Sequence, residues 1–79
     1  MSTMGKRGNV VLENTTEGHN KYWKAKIDDK NVDVNWGKIG TTGQFQQKNF
    51  KEGEEAYNFY MKMIRSKIKK GYVLKRVNE

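Results

Sequence analysis

The chain has 79 residues with no cysteine and no proline, which excludes a disulfide framework, a thiolate metal site and a cysteine nucleophile. A single domain of this length buries only ~60% of the surface its unfolded chain exposes, too little for both a core and a multi-residue catalytic centre, and one histidine, His19, cannot make a metal cluster by itself. Sixteen Lys and Arg against nine Asp and Glu leave a net charge of +7, an excess that favours polyanionic partners and carries no information about fold.

Residues 1–8 read as a flexible lead, with two cations and no apolar core behind them, so they do not form a secretory signal. Asn9 to Glu13 is short and β-prone, a first strand, and Asn14 to His19 is a polar turn around Gly18. From Lys21 to Ile27 the residues alternate. Trp23, Ala25 and Ile27 take one face, and Tyr22, Lys24 and Lys26 the other. That pattern predicts a half-buried strand whose outer face carries an aromatic ring between cations. Asp28 to Asn31 is a tight polar turn. The next strand runs from Val32 to Ile39, with Val32, Val34 and Trp36 on a common face, and Gly40 to Gly43 turns the chain again. Gln44 to Phe50 is a fourth strand, in which Phe45 and Phe50, five apart, fall on opposite faces unless a bulge intervenes.

From about Gly53 the period becomes helical. Ala56, Phe59, Tyr60, Met63 and Ile64 form one apolar stripe, edged by Tyr57 and Ile68. Glu52, Glu54 and Glu55 gather at the start of this helix and Lys67, Lys69 and Lys70 at its end, the polarity a helix dipole favours. Gly71 is placed for the left-handed residue that ends a helix, whereas no Ser, Thr, Asp or Asn stands at the start as a cap. Tyr72 to Leu74 forms a short last strand, and residues 77–79 are a tail. The expected fold is α+β: a small antiparallel sheet of four or five strands with one long helix packed on one face, a single domain over residues 9–76. No apolar run approaches the ~18 residues of a membrane span, so a cytoplasmic protein is expected, with association with the nucleoid as a further option.

Several residues are candidates for binding. Lys62, Arg65 and Lys69 fall within a narrow arc on the polar side of the helix, either a solvated face or a phosphate-contacting ridge. Lys67 projects into the apolar stripe and must extend outward along its stem or find a partner. Lys21, Lys24 and Lys26 flank Tyr22, an interleaving that suits phosphates and stacked bases, although Tyr22 fits a neighbouring loop equally well. Trp36 shares the Val32–Val34 face and so reads as core, but its strand is ending and the glycines at 37 and 40 leave the ring less covered. Asn20 either caps a turn or donates its amide to a phosphate.

With these residues the chain resembles the WGR domain family. The resemblance rests on Asn20-Lys21-Tyr22-Trp23, on Trp36-Gly37-Lys38-Ile39-Gly40 and Gly43-Gln44, on Ala56 and Phe59 of the helix, and on Lys67 and Lys70-Gly71-Tyr72. It covers roughly residues 10 to 74. It implies a mainly antiparallel sheet carrying one helix. In DNA-break-sensing poly(ADP-ribose) polymerases such domains contact the DNA backbone near a 5′ end and relay that contact to neighbouring domains. By the resemblance, Trp36 would stack on a terminal sugar or base, Gly37 would let the backbone approach, and Asn20, Lys21 and Tyr22 would contact phosphate or pack beside it. Lys38 stands where the family has arginine, which keeps the charge and loses the planar fork of donors.

Together these readings predict a non-catalytic, stand-alone nucleic-acid-binding module without metal or cofactor, monomeric by default. Its binding residues would be Asn20, Lys21, Tyr22, Lys24, Trp36, Gly37, Lys38, Gln44, Lys62, Arg65 and Lys69. DNA is the expected partner and RNA the next. The alternative is a protein-interaction module that docks an acidic partner on the same surface.

Overall fold

A computed structural model describes residues 6–78 of the chain. The elements follow in the order β1 (Arg7–Asn14), β2 (Lys21–Asp28), β3 (Asn31–Lys38), β4 (Gln44–Asn49), α1 (Gly53–Lys69) and β5 (Val73–Asn78). The strands form one sheet in the order β4-β3-β2-β1-β5, and every pairing is antiparallel. The architecture is therefore α+β, a five-stranded sheet with a single helix, and α1 carries the chain from the β4 edge to the β5 edge. No helix of the described residues is long and apolar enough to cross a membrane.

The β2–β3 register places Trp23 opposite Trp36, Ala25 opposite Val34 and Ile27 opposite Val32. These side chains share one face because alternate residues of a strand do. Val10 and Leu12 join them from β1 by pairing with Ala25 and Trp23. Onto this face α1 lays Ala56, Tyr60 and Ile64, and together these residues make the core. Phe59 and Met63 pack at its margin. Phe50 reaches the same margin just beyond β4, its ring 5.4 Å from that of Phe59. Phe45 lies on the opposite face, 65% exposed, as the odd spacing of the two phenylalanines requires.

Three expectations need correction. β1 begins at Arg7 rather than Asn9, and β5 runs to Asn78 rather than ending at Leu74. Strand pairing thus takes in residues assigned to the lead and the tail, while residues 1–5 and 79 of those segments lie outside the described residues. All of β5 is exposed, so no period-2 burial marks it in the sequence. A register shift between Val11 and Leu12, where β1 meets β5, blurs its alternation further. Ile68, expected at the edge of the apolar stripe, is 48% exposed, because the helix there has passed the core. Tyr22 shares the outer face with Lys24 and Lys26, and of the two readings open for it the structure takes the loop-packed one. It is 7% exposed, covered by the loop after β3.

Candidate functional site

That loop explains the local sequence. Lys38 accepts a hydrogen bond from the Thr41 amide at 3.0 Å, closing a turn in which Gly40 takes φ +93°. This is the third position of a turn that calls for positive φ. The Tyr22 hydroxyl donates to the Thr41 carbonyl at 3.0 Å, while Asn35 Nδ2 donates to the carbonyls of Thr42 (3.0 Å) and Gln44 (2.7 Å). The loop is thereby folded back over the Tyr22 ring. Gly37 is opposite Tyr22 in the sheet, and a Cβ on Gly37 would stand 2.8 Å from Gly43 Cα. Gly43, at φ +62°, has no room for a Cβ against the Trp36 carbonyl and the Tyr22 hydroxyl. The two glycines are thus required by each other and by Tyr22, independently of any ligand.

A second local rule brings the helix end to the same place. The Tyr72 amide donates to the Lys67 carbonyl and the Gly71 amide to the Ile68 carbonyl, each at 3.1 Å, with Gly71 at φ +104°. This is the paired bonding of a Schellman motif, which juxtaposes the side chains three residues before and two after the helix cap. Here those are Lys67 and Tyr72, and Lys67 Nζ lies 5.7 Å from the Tyr72 ring centroid, within the range of a cation–π contact. The buried Asn14 ties the motif to the sheet: its Nδ2 donates to the Lys70 carbonyl at 3.4 Å, and its Oδ1 accepts from the Thr16 amide at 3.1 Å and the Thr16 hydroxyl at 2.6 Å. The turn leading into β2 and the end of α1 are thereby held side by side.

Between them opens a cleft of about 580 Å³ lined by Gly18, Asn20, Lys21, Trp36, Gly37, Lys38, Lys67 and Tyr72. Lys21 and Lys38 are direct cross-strand partners, a like-charge pairing that works against sheet stability. Lys67 enters from the helix. No acidic residue is among those lining the cleft. Burial holds the Lys67 ammonium below its ordinary lysine pKa, and the nearby charges of Lys70 and then Lys21 add to that effect. Lysines from β2, β3 and α1 therefore line one cleft together with Trp36 and Tyr72. An anion entering it would offset the repulsion between Lys67 and Lys21.

Of the binding residues expected from sequence, the cleft brings together Asn20, Lys21, Trp36, Gly37 and Lys38. Tyr22 forms part of the support beneath them and is buried. Lys24 is on the opposite sheet face, its Nζ 5.3 Å from the Tyr22 ring centroid. Gln44 is opposite Trp36 in the sheet, at an exposed edge position. Lys62, Arg65 and Lys69 are exposed on α1 and do not line the cleft. Gly18, Lys67 and Tyr72 were not among the expected binding residues. Lys67 carried the clearest advance signal, a lysine inside an apolar stripe.

The model of the WGR domain family matches residues 8–79. The chain belongs to the WGR domain family. Among curated proteins, the WGR domain described here is 39% identical over 56 residues to the uncharacterized protein YfeS of Escherichia coli K12 and 37% identical over 57 residues to the protein YehF of the same organism. These matches cover 71% and 72% of this chain but only 23% and 21% of the two relatives. A solved protein from Bacteroides fragilis superposes with a TM-score of 0.82 at 38% identity, over 86% of this chain and 19% of that one. The chain thus spans about a fifth of the length of the proteins it matches.

Proposed function

We propose that this WGR domain binds DNA through the phosphate backbone at or near a strand end. The observation that carries the reading is the cleft itself: Lys21, Lys38 and Lys67 converge beside the Trp36 ring with no acidic lining residue. Lysines in that arrangement neutralise phosphates, and an indole at their side offers a stacking surface for a terminal sugar or base. Membership in a family linked, in poly(ADP-ribose) polymerases, to nucleic-acid binding points the same way. Lys38 serves as a point charge where the family's arginine would grip in a plane, which suits backbone contact rather than base readout. The role requires no chemistry on the DNA.

Fluorescence anisotropy with blunt and nicked duplexes over a salt series tests the reading. Lys38→Ala is expected to weaken binding to all sequences alike and to reduce the salt slope by about 1. Trp36→Ala is expected to lose affinity for ends and nicks, with circular dichroism used to check that it folds. Wild-type binding no tighter than that of an unrelated protein of equal charge would sink the proposal. Preference for a matched RNA duplex in competition would move the reading to RNA, and nuclease-insensitive capture of an acidic protein would move it to protein docking.

A further inference from the structure

A second cavity adjoins the basic cleft. About 290 Å³ in volume, it runs between α1 and the β3–β4 edge. The two cavities have Trp36 and Lys67 in common, so these side chains form the boundary between them. Beyond that boundary the character of the lining changes. Phe59 and Met63 from the helix line the second cavity together with Trp36, Trp23 and Val34, and Gln46 and Lys48 of β4 complete the lining. The Phe59 ring is held by the Phe50 ring at 5.4 Å and by Lys48 Nζ at 5.4 Å from its centroid. The groove is therefore a mainly apolar slot with aromatic walls, beside a cationic cleft, with a single amide at its edge.

Those properties describe a nucleotide more closely than a phosphate alone. We propose that the groove receives one unpaired base at the end of a DNA strand whose phosphate lies among Lys21, Lys38 and Lys67. The proposal rests on the DNA-binding reading above and adds a preference to it: ends bearing an unpaired nucleotide are favoured over blunt ends. An unstacked base presents two flat faces and a hydrogen-bonding rim. Trp36 and Phe59 supply ring surfaces for the faces, and the Gln46 amide, both donor and acceptor, meets the rim. A base still paired within a duplex cannot enter, because its partner base occupies the hydrogen-bonding rim and its stacking neighbours cover its faces. The charge pattern favours this occupant over an apolar side chain of an uncharged partner, since an anion carried with it complements the Lys67 charge at the shared wall.

The experiment compares one duplex in three forms: blunt, with a single thymidine overhang, and with the same overhang made abasic. Overhangs of both polarities are included. The wild-type protein is expected to bind the thymidine overhang of at least one polarity on the order of tenfold more tightly than its abasic counterpart, the scale of one base stacked on an aromatic ring. Phe59→Leu removes a wall, and Gln46→Trp, at an exposed strand position, fills the slot. Both are expected to erase that gain while leaving blunt-end affinity unchanged. Equal binding of thymidine and abasic overhangs, or a gain that survives both substitutions, overturns the inference and leaves the DNA-binding reading standing. Binding of no DNA form above an equally charged control protein overturns both. Displacement of the bound overhang by a short acidic peptide bearing an aromatic residue, and not by an abasic oligonucleotide, overturns the inference in favour of protein docking.

Discussion

Lys67 joins the structural and the functional sides of this domain. Placed in the apolar stripe of α1, it extends to the boundary of two cavities and rests its charge beside the Tyr72 ring. Its lowered pKa has a definite consequence for stability. Below the folded-state pKa, Lys67 is charged in both states, and desolvation together with Lys70 and Lys21 makes that charge unfavourable in the folded state. Between the folded-state pKa and the ordinary value of 10.5, the unfolded chain holds more protons at this site than the folded one. Stability therefore gains from this site as pH rises through that alkaline window. Lys67→Met removes the unfavourable charge and keeps the stem's packing. Urea titrations are expected to give the variant a higher midpoint than wild type at neutral pH, with the gap narrowing as pH approaches 10.5. A gap that stays constant or widens would show that the charge is not what the substitution relieves. The same variant is expected to bind DNA more weakly.

At the level of elements, the regular patterns were legible and the loop contacts were not. The alternation of Trp23, Ala25 and Ile27 and of Val32 and Val34, and the stripe of Ala56, Tyr60 and Ile64, gave the central strands and the helix, because each buries one face at its own period. Gly71 marked the end of α1 for a reason visible in the sequence, its position just beyond a run of lysines. For Tyr22 the alternation gives the face but leaves exposure and packing on a loop equally open, because the glycine-rich loop that covers it is nearly 20 residues away and joined by one hydroxyl bond. β5 was cut short because an exposed edge strand buries neither face and leaves no period to read. The cleft was half legible: Trp36, Gly37 and Lys38 adjoin in sequence, whereas Tyr72 arrives only through the Schellman geometry. That geometry is open to test. In Gly71→Ala a side chain is forced to φ +104° with its Cβ 3.3 Å from Asn14 Nδ2, expected to cost roughly 1–3 kcal/mol. For a domain of this size each kcal/mol lowers the melting temperature by about 4–8 °C. Calorimetry showing no loss would mean that the helix end relaxes without the motif.

Among the described residues, two groups of cations bear on DNA binding, and they need not do the same work. The exposed residues Lys62, Arg65 and Lys69 form a ridge on α1, while Lys21, Lys38 and Lys67 occupy the cleft at one end of the sheet. A ridge of exposed cations meets a duplex anywhere along its length, since phosphates recur uniformly and each contact adds ~0.9 to the salt slope. A cleft walled by the side chains of Trp36 and Tyr72 admits a chain end more readily than a continuous duplex. Two variants separate these roles: Lys62→Ala/Arg65→Ala/Lys69→Ala for the ridge and Lys21→Ala/Lys38→Ala for the cleft, each measured on a linear duplex and on a covalently closed circle of the same sequence. The ridge variant is expected to weaken binding to both forms in equal proportion, with the salt slope falling by at most about 3. The cleft variant is expected to bring the linear-to-circle affinity ratio toward one. If the ridge variant alone collapses that ratio, end recognition lies on the helix, and the convergence of three lysines beside Trp36 serves a different anion.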